Sequence, residues 1–126
     1  MKKILFMLSF MFFLSGNCSA ENLIFVDARD ATGYYYDAET LKIESPIVLS
    51  VRLAVIKADR NDMYVYDVTI NHESKTYIIN SSKIMSYDTR TVRESNNQPR
   101  APRAYSRNSE MNATVNYILY ENAGRN

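Results

Sequence analysis

Apolar and polar positions alternate along much of the middle of this chain. In "IVLSVRLAVIK", Leu49, Val51, Leu53 and Val55 are separated by Ser50, Arg52 and Ala54. A period of two predicts a strand with one buried face. Val48 and Ile56 interrupt the polar side, so the ends of this strand should be covered on both faces. Pro46 stands just before it, where a missing N–H does little harm. "ADRND", Ala58 to Asp62, is a polar turn. Met63 to Ile70 alternates again, with Tyr64, Tyr66, Val68 and Ile70 on one face. "NHES", Asn71 to Ser74, is a second turn, and Thr76 to Asn80 returns as a strand, which predicts a hairpin. Leu23 to Ala28, Tyr34 to Asp37 and Lys83 to Tyr87 are further β-prone runs.

Near the C-terminus the period changes. Met111, Val115, Ile118 and Leu119 fall on one face at helical spacing. Ser109 is placed to cap this helix, Glu110 lies in its first turn, where the dipole favours an acid, and Gly124 is placed to stop it. Strands followed by one amphipathic helix predict an α+β fold: a mainly antiparallel sheet with the C-terminal helix packed on one face.

The first 20 residues follow neither pattern. Lys2 and Lys3 precede an apolar run from Ile4 to Leu14, and Cys18-Ser19-Ala20 ends it with small residues. This is the layout of a secretory signal peptide, and the run is shorter than the roughly 20 residues a bilayer-spanning helix needs. Cleavage after Ala20, rather than lipidation of Cys18, is expected, because Asn17 stands where lipoprotein processing wants a small residue. Residues 21–126 then form a single domain with no transmembrane segment. Cleavage removes two lysines, no acid and the only cysteine, leaving 13 basic against 14 acidic residues and a charge of −1. The mature chain has no disulfide, although it sits where disulfides are allowed. Its expected location is the periplasm, the cell surface or the medium, and export makes nucleic acid an improbable partner.

Two stretches carry candidate chemistry. In "GYYYDAET", alternation sends Tyr34 and Tyr36 one way and Tyr35 the other. Asp37 then opens a tight turn through Thr40, its carboxylate accepting backbone N–H groups. The run is either a fold-specifying corner or a ligand-contacting aromatic surface. The second stretch, Arg90 to Arg107, contains Arg90, Arg93, Arg100, Arg103 and Arg107 against Glu94, with Pro99 and Pro102. It reads as a long exposed loop with a local charge of +4. As a polyproline-II segment it would hold Arg100 and Arg103 on one side, about 9 Å apart. That suits acidic partners: sulfated glycans, acidic proteins or lipopolysaccharide phosphates.

Catalytic patterns are weaker. His72 is the only histidine and lies in a predicted turn, so it cannot build a closed transition-metal site without help. No G-x-S-x-G surrounds Ser81 or Ser82. Asp27, Asp30, Asp37, Glu39 and Glu44 are expected to form a solvated rim. The three glycines form no phosphate-cradling loop. No catalytic residue, metal or cofactor is assigned.

"YYYDAETLKI", "IVLSVRLAVIKA", "YVYDVTI", "KTYIINSSKIMSYD" and "SEMNATVNYILY" occur in that order. Together they resemble the surface-adhesin protein E family of Gram-negative bacteria, over most of the mature chain. The resemblance implies an antiparallel sheet with a docked C-terminal helix, and an exported, non-enzymatic binding module. Its implied partner is a host matrix protein; the arginine stretch adds a polyanionic glycan or lipopolysaccharide, and a homodimer is left open. A periplasmic accessory or inhibitor protein, or a small exported hydrolase, stays as the alternative. Family members commonly tie a central strand to the last helix by a disulfide. Here the corresponding places, near Ile70–Asn71 and Leu119–Tyr120, hold no cysteine.

Overall fold

The computed structural model describes residues 22–123. The expected signal peptide, Cys18, the expected processing point before Glu21 and the expected stop at Gly124 lie outside the described residues. Strands β1 (Leu23–Arg29), β2 (Thr32–Ile43), β3 (Val48–Lys57), β4 (Asp62–Asn71), β5 (Thr76–Ser86) and β6 (Val92–Asn96) form an antiparallel meander in chain order. A two-residue strand β7 (Arg103–Ala104) pairs with the same edge of β5 as β6 does. Helix α1 (Glu110–Glu121) follows. The expected class is therefore observed, a mainly antiparallel sheet with one C-terminal helix.

The connections use residues that tolerate a left-handed backbone or bond their own turn. Asp30 and Asn61 take φ near 55°, a region that short polar side chains enter at low cost. Asn61 also holds the β5–β6 turn, its side chain accepting the Asp88 amide at 2.8 Å. Asn71 accepts the amides of Glu73 and Ser74, which closes the β4–β5 hairpin.

Period two sorts the side chains as the sequence predicts. Leu49, Val51, Leu53, Val68 and Ile70 point to one face and bury with Val115 and Ile118 of the helix. Ile70 and Ile118 are both completely buried, so apolar packing occupies the region where the family resemblance implies a disulfide. Thr114 is also buried, whereas Met111 and Leu119 are only partly covered. Ser109 caps the helix, its hydroxyl accepting the Asn112 amide at 3.1 Å. The helix stops at Glu121, where buried Asn122 donates its side-chain amide to the Ile118 carbonyl. On the opposite face Ala54, Ile56, Met63, Val65 and Met85 form a second cluster, flanked by Tyr35 and Tyr87.

Three expectations are corrected. The turn expected at Asp37–Thr40 is a bulge inside one long strand. Asp37 pairs with Arg52 and Lys42 with Ser50, so four residues of β2 stand against one of β3. Buried Asp37 holds this bulge: its Oδ1 accepts the amides of Asn22 and Glu39, so it is not part of a solvated rim. Thr40 Oγ1 donates to the Asp37 carbonyl and accepts the Arg52 amide. Secondly, Thr76–Asn80 and Lys83–Tyr87 belong to one strand through Ser86, joined across a bulge at Asn80. Thirdly, the arginine segment is not a free loop. It runs along the outer edge of β5 as β6, then a single bond from the Arg100 amide to the Ile79 carbonyl, then β7. Its prolines are tolerated because an edge strand needs partners on one side only.

A tyrosine-floored groove beside the helix

A helix of 12 residues is about 18 Å long, and six strands at about 4.8 Å spacing make a face roughly 24 Å across. The helix lies over β1 and β2. Its inner side chains reach Val68 and Ile70 of β4, but the Tyr64–Tyr66 end of β4 and the neighbouring part of β5 are only partly covered. The floor there is built by tyrosines at alternate positions.

Of the Tyr34-Tyr35-Tyr36 run, each ring has a different place. Tyr36 is buried under the helix, edge-on to Tyr117 at 6.3 Å. Tyr35 lies on the other face, edge-on to Phe25 at 5.6 Å. Its ring covers Gly33, where a Cβ would sit 2.8 Å from Tyr35 Cε1. A larger residue there would push the Tyr35 ring aside. Tyr34 faces the same way as Tyr36 and lines a cleft of about 320 Å³ beside the first turn of the helix. Tyr66, Tyr77, Val68 and Met111 share that cleft, with Arg103 and Glu110 also in its lining.

A second cleft of about 320 Å³ lies next to it, lined by Tyr64, Tyr66, Ser82, Ile84, Glu94 and Arg100. Tyr66 lines both, so the two clefts adjoin at this residue over β4 and β5 as a two-part groove. Half-burial pushes the Tyr66 phenol above the usual tyrosine range, with Tyr64 adding to the shift and Arg100 opposing it. Tyr66 therefore stays a neutral hydrogen-bond donor at physiological pH.

The arginine strip divides in two. Arg100 and Arg103 come to the groove. Arg103 stands opposite Tyr77 in the β5–β7 register, which puts both side chains on the groove face. Arg100 is held by hydrogen bonds to Ser82 Oγ at 2.6 Å and to the Gln98 carbonyl. Neither arginine has a carboxylate partner among the described residues. Lys83 also lines the second cleft, and Lys57, outside both linings, stands 5.8 Å from the Tyr64 ring centre. The groove's acids are Glu94 and Glu110, and Glu110 is paired with Arg29. The others are elsewhere. Arg93 pairs with Asp62 and donates to the Met85 carbonyl, and this ion pair holds the Asp62 carboxyl below its ordinary range. Arg90 stacks on Tyr87 and donates to its carbonyl. Arg107 is exposed before the helix.

The candidate catalytic groups do not converge. Ser81 donates to Asp67 Oδ2 at 2.8 Å, and Arg52 Nε donates to Asp67 Oδ1 at 2.8 Å. Burial pushes the Asp67 carboxyl up, but these two bonds and the Arg52 charge outweigh it and hold it below its usual range. This trio lies on the face opposite the helix. His72 lies beyond the end of β4, five residues past Asp67, or roughly 16 Å at strand rise. No Ser-His-Asp arrangement results. Asp27 and Glu44 bond their own neighbourhoods, to the Ala28 amide and the Ser50 hydroxyl. No cluster of three metal-ligating side chains exists among the described residues, and no described helix is long and apolar enough to cross a membrane.

Sequence reasoning named Tyr34, Arg100 and Arg103 but missed Tyr64, Tyr66 and Tyr77. The alternation of β4 placed Tyr64 and Tyr66 on one face with Val68 and Ile70 without telling how much of that face is covered. Their position two and four residues before Val68 was the available signal, since a short helix cannot cover the full length of a ten-residue strand. No protein-family model matches the chain, and neither a curated protein nor a solved structure matches it.

Proposed function

We propose that this chain is an exported, non-enzymatic binding module of the surface-adhesin E type, and that its ligand site is the tyrosine-floored groove. One observation carries the reading: arginines without carboxylate partners among the described residues, brought by the edge segment, line clefts with tyrosines from β2, β4 and β5 on the part of the face the helix leaves open. A concave, largely preformed site with a few converging polar groups is the usual form of a binding site. Aromatic rings supply contact area at low entropic cost, and arginine's planar fork suits sulfate, phosphate and carboxylate. The ligand on this reading is an anionic chain of the host matrix or of the cell envelope.

Export rests on the opening 20 residues, and intact-mass analysis tests it with Glu21 as the expected first residue. Binding is tested by retention of the purified protein on heparin and on lipopolysaccharide, beside the Arg100→Ala/Arg103→Ala variant. The parent should be retained and released as salt rises, because screening shortens from about 10 Å at 0.1 M to about 3 Å at 1 M. The double variant should elute earlier. Elution of both proteins together at low salt sinks the reading.

A further inference from the structure

Resting on that reading, we infer that the groove takes a sulfated sugar chain rather than a peptide. The first reason is the state of the sheet edge. A peptide in extended form carries an N–H and a C=O at every residue that need partners, and it usually finds them by adding a strand. Beside the groove the edge of β5 is closed to this by β6, by the Arg100 amide on the Ile79 carbonyl, and by β7, so strand addition is left to the outer edges of β1, β6 and β7. The groove crosses the strands, and its floor offers side chains instead of free backbone. A sugar chain has no such backbone requirement, since its hydroxyls stay satisfied by water and by side-chain partners along the rim.

The second reason is the floor itself. Tyr34, Tyr66 and Tyr77 set phenol rings among the apolar side chains of Leu53, Val68, Ile79 and Met111. The apolar C–H faces of pyranose rings pack on such rings, while phenol hydroxyls and Ser82 meet sugar hydroxyls. The third reason is charge. Arg100 and Arg103 outnumber Glu94, the one groove acid without an ion pair among the described residues. Arg100 and Arg103 are three residues apart on an extended segment, about 9–10 Å of chain. That length is comparable to one disaccharide, so successive sulfated repeats would meet successive guanidinium groups.

The experiment is calorimetric titration of the purified protein with three probes at one salt concentration. They are a size-defined heparin hexasaccharide, its desulfated form and a poly-glutamate peptide matched in charge to the hexasaccharide. The hexasaccharide should bind at least about tenfold more tightly than either of the others, a tenfold ratio being about 1.4 kcal/mol. Tyr66→Leu keeps bulk but removes the ring, and should weaken hexasaccharide binding by roughly 3- to 10-fold. Arg103→Ala, at an exposed edge position, is the variant least able to disturb folding and should weaken it by a similar factor. Equal or tighter binding of poly-glutamate overturns the sugar assignment while leaving the groove reading intact. Equal binding of the desulfated chain overturns the sulfate requirement. Hexasaccharide binding unchanged in both Tyr66→Leu and Arg103→Ala removes the groove reading and this inference together.

Discussion

Replacing Ile118 by alanine tests whether the helix is held by packing alone. Ile118 is completely buried among Leu49, Val68, Ile70 and Val115, and no cysteine pair shares the load. Truncating a buried isoleucine to alanine typically costs about 2–5 kcal/mol, part lost transfer energy and part the cavity left behind. Because a helix and a β-sheet meet at this point and neither can collapse freely, a value near the middle, about 3 kcal/mol, is expected. In a domain of about 100 residues each kcal/mol lowers Tm by roughly 4–8 °C, so the variant should melt about 12–24 °C below the parent. The assay is urea unfolding followed by circular dichroism, with Tyr120→Ala on the same helix as the control. Tyr120 is 79% exposed, and its loss should stay within about 0.5 kcal/mol. Comparable losses in the two variants, or a loss below about 1 kcal/mol for Ile118→Ala, would refute the docking described above.

Removing the helix cap with Ser109→Ala should cost about 1 kcal/mol, read from the same unfolding curves. Asp37→Ala leaves the amides of Asn22 and Glu39 without their acceptor, and hydrogen exchange at both should accelerate while β4 amides stay protected. The Asp67 carboxyl titrates lower in the folded protein than in the unfolded chain. Its stabilising contribution is therefore complete above the unfolded value near 3.9 and is lost as pH falls through the folded one. Asp67→Asn should flatten that part of the acid-unfolding profile, and an unchanged profile would show that the Arg52–Asp67–Ser81 trio carries no linkage.

The sheet was legible because its strands keep one face apolar at every second residue, as Leu49, Val51 and Leu53 do. The helix was legible for the same reason at a different period. What stayed hidden was continuity. Asp37 to Thr40 has turn composition, yet the side chains that favour a turn here hold a bulge within β2. Asn80-Ser81-Ser82 looks like a break, yet Ser81 meets Asp67 and Asn80 meets Thr69 on a polar sheet face. Prolines and arginines gave residues 90–107 the composition of a loop, but an outer edge accepts both. For the groove, alternation tells which face Tyr64 and Tyr66 share with Val68. It does not tell how far along the strand the helix reaches, and that distance decides whether a tyrosine is core or floor.

The central claim, that ligand meets the open half of the helix-side face, is tested most directly by an amide-shift titration of isotope-labelled protein with the heparin hexasaccharide. Shifts should concentrate at Tyr66, Tyr77, Ser82, Arg100 and Arg103, with those of Arg52, Asp67 and Val65 on the opposite face left in place. A footprint centred on Arg52 and Asp67, or on the Arg90–Arg93 end of the edge segment, would contradict the account.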